Sequence, residues 1–367
     1  MSGFTIADGG QAIRTAAASK AEAAWTTAGL ALLSVRFIQG FIYWGGGTRR
    51  FIYAPSKLNP YAAHWMAYKF QTAMPGALLG TDRLIAYMLH HFWLLYPGVI
   101  LFSAAELFAG LFLMLGLFTR AAGAVTIGLS FVLMLMFGWQ GATCIDEWTM
   151  AAANFGIGLG LFLVGGSAYA VDNVLLQRNP ALAGKAWFRW ACGSLPLPLS
   201  AVAFRRLALV LFWTGVAFSV LTYNYYRGSV VTPFHGGPVS PSKHHWGLSD
   251  GRLGADGQVS FRAYVDAGTP AEASNLVLAR LVSADGRTVE IWTAATLAAL
   301  PASALHNDFA YQKFHTGAFG IVGPVGAVAT IDLPGTPGGA SLTPGRYTLR
   351  LTSVNGHVWS LPISLQG

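Results

Sequence analysis

Five apolar runs, each about the ~20 residues a helix needs to cross ~30 Å of hydrocarbon, lie at 24–44, 92–117, 121–139, 150–171 and 207–223. Lipid offers a backbone amide no hydrogen-bond partner, so each run must close its own bonds as a helix. The composition agrees: 54% of the 367 residues are hydrophobic and 10% are charged, against about 25% charged in a soluble domain. The first run begins after Arg14 and Lys20 and is long enough to span, so it reads as a membrane helix rather than a cleaved leader.

The excess of positive charge sits in the membrane part. Residues 228–367 carry eight basic and eight acidic side chains, whereas residues 1–227 carry 15 and seven. Nucleic acid is therefore not the expected partner; the bilayer and a small anion are. Placing Arg14, Lys20, Arg120, Arg178, Lys185, Arg189, Arg205 and Arg206 in the cytoplasm satisfies the positive-inside bias. That topology puts the N-terminus inside, and the 45–91 connection, the 140–149 loop and the C-terminal domain outside the cytoplasmic membrane. The 45–91 connection breaks the bias with Arg49, Arg50, Lys57, Lys69 and Arg83 against Asp82 alone, which suggests an anion there.

Beyond the fifth run, 229–247 is rich in Pro, Gly and His and reads as a linker or loop; its histidines 235, 244 and 245 suit a loop on the membrane face better than a metal site. Period-two strands are then expected at 258–266, 275–283, 288–293, 327–333, 346–353 and 357–364, with hairpin turns at 284–286 and, in type I′ form, at 355–356. The fold class that follows is an α-helical membrane bundle of four helices plus a fifth span, then an all-β, sandwich-like extracytoplasmic domain. Its divisions are an N-terminal segment 1–23, a four-helix membrane domain 24–195, a linker and fifth span 196–227, and a β domain 228–367.

Two charges lie inside expected spans, Arg36 and Glu106. Charges at that depth are costly unless paired. They read either as a structural ion pair or as a catalytic pair lining a quinone or proton site, with Gln39, Tyr43 and Trp44 on the quinone and Glu106 as proton acceptor. Gly45-Gly46-Gly47-Thr48-Arg49-Arg50 reads either as a helix cap with headgroup anchors or as backbone and guanidinium donors for an oxyanion. Arg49, Arg50 and Lys57, helped by His90 or His91, are the expected anion-binding set. Cys144 is a candidate nucleophile, although Asp146 and Glu147 beside it should blunt a thiolate; Cys192 is expected to be inert. No Cys/His spacing suits zinc, haem c or iron–sulfur, and no histidine lies well inside a span to hold haem b, so neither metal nor haem is expected.

The stretches RFIQGFIYWGGGTRRFIYAPSKLNP, WMAYKFQTAMPGALLG and ELFAGLFLMLGLFTRAAG within 24–195 resemble the DoxD subunit of thiosulfate:quinone oxidoreductase. The wider DoxX-like group shares an Arg matched by Arg36 and a Glu-then-Gly-Leu-Thr-Arg pattern matched by Glu106 and Gly116 to Arg120. The remainder, with HGGPVSP, is similar to the companion DoxA subunit, so the chain looks like a fusion of the two. The resemblance implies oxidation of two thiosulfates to tetrathionate outside the cytoplasmic membrane, with two electrons passed to membrane quinone. It leaves open a homodimer and other sulfur anions. Two other classes stay in view: a membrane scaffold that recruits a sulfur-oxidising partner, and an anion transporter using the basic connection as a funnel.

Overall fold

The computed structural model describes residues 23–140, 147–227, 244–336 and 342–365. Helix α1 (Ala23–Ala31) meets α2 (Leu33–Thr48) at a 45° bend, and α2 runs on through a π-helical turn, Arg49–Tyr53. Short helices α3 (Met66–Ala73) and α4 (Thr81–His90) fill the connection to α5 (Phe92–Leu115). Then come α6 (Thr119–Phe137), α7 (Glu147–Val164), α8 (Val171–Arg178), α9 (Ala186–Ala191) and α10 (Ala201–Arg227). Helices α5, α6, α7 and α10 are each long and apolar enough to cross a membrane, and the bent pair α1–α2 makes a fifth. The chain is thus a multi-pass helical protein followed by an all-β region.

Each span overlaps its apolar run, but α7 ends at Val164 where the run continues to 171, α10 begins at Ala201 where the run begins at 207, and the first differs at its end. The apolar run stops near Trp44, whereas the helix continues through Gly45 to Thr48. The glycines are there for contact between helices. A Cβ on Gly47 would lie 2.6 Å from the Leu107 backbone, and one on Gly40 2.7 Å from the Gly110 carbonyl oxygen. Continued helix with no side chains is what so close a crossing of α2 and α5 requires.

The β region comprises β1 (His245–Leu253), β2 (Val259–Ala267), β3 (Ser274–Ser283), β4 (Thr288–Trp292), a short helix α11 (Ala294–Ala298), then β5 (Leu305–Asn307), β6 (His315–Gly317), β7 (Gly320–Gly323), β8 (Val328–Leu333), β9 (Gly345–Ser353) and β10 (Val358–Leu365). One antiparallel sheet runs β1-β2-β8-β5; the other runs β10-β9-β3-β7-β6, with β4 also paired to β3, through residues 279–282. Both faces feed one core. Val259, Phe261, Ala263 and Val265 alternate inward from β2 and meet Leu276, Ala279, Leu281, Leu349 and Leu351 of the opposite sheet, the geometry of a sandwich.

Two expectations change here. His245 and Gly247 belong to β1, so the end of the expected linker is a strand, paired through Trp246 with Val265, while 229–243, His235 among them, lies outside the described residues. The alternation that marks a strand is weak in HWGLSDGRL, whose burial is irregular. The turn at 355–356 is not type I′, since Gly356 (φ +81°) has positive φ and Asn355 does not. Both hairpins use a type I turn with glycine in the left-handed position: Gly286 donates to the Ser283 carbonyl, Gly356 to that of Ser353.

The chain divides into two compact units. One comprises residues 1–58, 98–132 and 150–221; the other comprises 59–97, 133–149 and 222–367. In the second, α3 seats the β region through Gln71, which is fully buried. Its Nε2 donates to the carbonyls of Gln312 (2.8 Å) and Gly326 (2.9 Å), and its Oε1 accepts from the Gln312 amide (2.9 Å). Trp65 and Tyr311 pack edge to face at 5.0 Å beside it.

Candidate functional site

The buried face of α2 carries Arg36, Gln39, Gly40, Tyr43, Gly47 and Thr48. Across it, α5 presents Ser103, Glu106 and Gly110, and the approach is closest where a Cβ on Gly110 would lie 2.1 Å from the Trp44 amide nitrogen. Trp44, expected on a quinone ring, is half-buried and meets α5 through this backbone contact.

Glu106 pairs with Arg50, not with Arg36 as its depth suggests. Helical continuation through the glycines, with the π-helical turn after Thr48, brings Arg50 back onto the face of Tyr43 and Gly46. The guanidinium also lies 5.9 Å from the Phe102 ring centroid, and a Cβ on Gly46 would stand 3.1 Å from Glu106 Oε2. The arrangement neutralises a carboxylate that lies ~21 Å along α5 from Phe92. One turn away, the Tyr43 hydroxyl shares a 2.7 Å hydrogen bond with Ser130 Oγ and donates to the Thr126 carbonyl at 3.2 Å. A further turn along, Gln39 Nε2 donates to the Asn154 carbonyl at 3.1 Å. Its Oε1, like Ser103 Oγ, is buried and has no hydrogen-bond partner. Four helices, α2, α5, α6 and α7, thus build a polar seam. Its donors and acceptors suit a ring that bears a carbonyl in one redox state and a hydroxyl in the other.

Arg36 is held elsewhere. Its Nη atoms donate to the carbonyls of Ala168 (3.0 Å) and Tyr169 (2.8 Å), and the carboxylate whose field reaches it is Asp172. Asp172, fully buried, accepts from the amides of Phe118, Thr119 and Gly193 and from the Thr119 hydroxyl. Arg120, equally buried, donates to the carbonyls of Phe162, Arg189, Cys192 and Leu195. These groups close the turns after α5 and α7. The sequence signal for this knot is an Asp shortly after a Gly-rich turn, which a search for charges inside the spans passes over.

The expected cluster of cations is smaller than its count. Arg50 is taken by Glu106 and Lys69 by Glu147. Arg49 is exposed on the π-helical turn and Lys57 is half-buried in the turn Pro55–Lys57; they belong to the same unit as the seam. His90 and His91 belong to the other unit, His90 packed on Phe309 (4.7 Å) and His91 stacked on Tyr87 (4.1 Å) with its Nδ1 at the Tyr87 carbonyl. That unit also holds a cleft of about 710 Å³ between α4 and β1–β2. Its charged lining, Asp82, Arg83, Arg262 and Asp308, sums to zero, and Arg262 and Asp308 pair with each other. A dianion gains little there. Burial first, then Asp266 and Asp82, hold the Tyr264 hydroxyl in its neutral form far above the usual range.

Cys144 falls outside the described residues. Cys192 is buried, and burial first, then Asp172, pushes its thiol up to about 12, so it is a poor nucleophile at neutral pH. Among the described residues, no three His, Cys, Asp or Glu side chains converge as a metal would require.

No solved structure matches the chain. Two family models do: residues 31–197 match the model described as TQO small subunit DoxD, and residues 226–361 match TQO small subunit DoxA, TQO being thiosulfate:quinone oxidoreductase. The first match covers both the polar seam and the Arg120–Asp172 knot, and the second covers the β sandwich. The chain is therefore a fusion that belongs to the DoxD family through its helical part and to the DoxA family through its β region.

Proposed function

We propose that this protein is a thiosulfate:quinone oxidoreductase of the cytoplasmic membrane. Two thiosulfates are joined as tetrathionate on the outer side and two electrons pass to a quinone whose ring occupies the α2–α5–α6–α7 seam. The observation that carries the quinone half is the Arg50–Glu106 pair, its carboxylate buried and its guanidinium partly so, on the same α2 and α5 faces as the unpartnered Gln39 Oε1 and Ser103 Oγ. Quinone, when bound, supplies a two-electron, two-proton acceptor. Ser103 and Tyr43 can donate to its carbonyls, and Gln39 Oε1 can accept from the hydroxyl formed.

The sign of the chemistry revises one expectation about Glu106. Thiosulfate is a dianion that brings no proton, so the sum is two thiosulfates, one quinone and two protons giving tetrathionate and quinol. Glu106 must hand a proton inward rather than take one from quinol. Arg50 neutralises the carboxylate between deliveries.

Bringing two dianions to ~4 Å costs about 4 kcal/mol in bulk water and more beside hydrocarbon. Cations must offset that repulsion. Arg49 and Lys57, both of the unit that holds the seam, are the proposed thiosulfate-binding side chains. The N-terminus lies in the cytoplasm and the β domain in the periplasm, following the basic residues of the other connections.

The test is thiosulfate-dependent reduction of decylubiquinone by the purified full chain, with tetrathionate quantified. Quinol and tetrathionate in a 1:1 ratio are expected. A folded preparation that forms neither overturns the reading and leaves the scaffold or the transporter.

A further inference from the structure

Quinol needs two protons, and a single carboxylate delivers one at a time. Glu106 is the only described carboxylate lying in the middle of a span, so the seam needs a second donor or a slow reload. We infer that Tyr43 is that donor, and that the Ser130 hydroxyl stabilises the phenolate until water reprotonates it. The inference rests on the quinone site proposed above and extends it to the delivery of the second proton.

The geometry has three parts. Tyr43, Gly46 and Arg50 share one face of α2, and the Glu106 carboxylate stands over Gly46, one turn from the phenol. The two acids thus reach the seam from different helices, α5 and α2, as two separate ring oxygens require. Tyr43 is buried, yet its hydroxyl is not idle: at 2.7 Å from Ser130 Oγ and 3.2 Å from the Thr126 carbonyl it has a hydrogen-bond donor and an acceptor together. Ser130, itself buried on α6, can donate its hydroxyl hydrogen bond to the phenolate and so stabilise it until water, entering as the quinol leaves, returns the proton. The step balances: the phenol O–H breaks, an O–H forms on the reduced quinone oxygen, and water supplies the proton that restores the phenol. The electrons come from thiosulfate.

A phenol that only ties α2 to α6 would share this geometry, so the test uses two acceptors. Decylubiquinone needs electrons and protons; ferricyanide needs electrons alone. For Tyr43→Phe, the ratio of quinone to ferricyanide turnover should fall about 10²-fold, with KM for the quinone within about twofold of wild type. Ser130→Ala should lower the same ratio about tenfold, and Ser130→Thr, which keeps a hydroxyl, should restore it. Quinone turnover should slow in D2O, with the largest effect in Ser130→Ala. Tyr43→Phe with an unchanged ratio overturns the inference, as does equal loss toward both acceptors, which marks a structural tie. A wild-type chain that reduces ferricyanide with thiosulfate but never quinone overturns the quinone site itself, and this inference with it.

Discussion

Two charged sites in the helical unit, the Arg120–Asp172 knot and the Arg50–Glu106 seam, differ in how fully their central groups are satisfied. In the Arg120–Asp172 knot every carboxylate oxygen and every guanidinium nitrogen of those two residues has a partner, mostly backbone amides and carbonyls of the turns at 116–119, 162–172 and 189–195. In the Arg50–Glu106 seam a charged pair shares its helix faces with two buried polar atoms that have no partner at all. A saturated network fixes a fold, because each group removed strands another. An unsaturated one keeps capacity in reserve, and reserve capacity in a low-dielectric interior is costly unless a ligand uses it.

The harshest way to break this contrast is Asp172→Ala, which strands three amides and a hydroxyl. At ~1–3 kcal/mol for each buried group left unpaired, most of the folding free energy is at stake. No monodisperse species should appear on size exclusion in detergent; a well-folded, active variant would erase the distinction. Glu106→Gln should instead fold and elute as wild type while quinone turnover drops about 10²–10³-fold. Loss of folding there would make the seam structural too.

A milder test uses the thiol beside the knot. With the Cys192 thiol held up to about 12 against an ordinary 9.0, the native protein keeps that proton longer than the unfolded chain. Its contribution to stability is therefore complete below pH 9 and falls as pH rises from 9 toward 12. A maleimide should leave Cys192 unmodified at about pH 8 until denaturant is added, as read by peptide mass. The smallest effect expected is for Arg49→Gln: a few-fold rise in KM for thiosulfate with a smaller fall in turnover, both shrinking with added salt.

Much of this is legible in the residues. Apolar runs locate all five spans because hydrocarbon thickness fixes their length, though three of them miss a helix end by six to nine residues. Inward alternation marks β2, β3, β8, β9 and β10. The edge strand β1 escapes because its polar, irregular face carries no alternation. Of the site, Glu106, Gln39 and Tyr43 can be read as neighbours in one polar cluster, since i, i+4 spacing on α2 aligns the last two. Their partners cannot be read the same way. Arg36 and Arg50 sit four turns apart on one helix, and which of them meets Glu106 depends on the crossing of α2 with α5 and on the π-helical turn, neither of which a one-dimensional depth estimate contains.

That crossing has a mechanical consequence. At Gly110 there is no room for even a methyl group, since the Trp44 amide nitrogen, the Gly40 carbonyl and the Trp44 Cα all lie within 2.7 Å of where it would stand. Backbone cannot yield as a flexible side chain does, so Gly110→Ala would act as a wedge, prising α5 from α2. Glu106, one turn earlier on the same helix, would ride outward with it. One added carbon would thus lengthen the gap between acid and base while removing no polar atom, a tuning screw for how tightly the carboxylate is gripped.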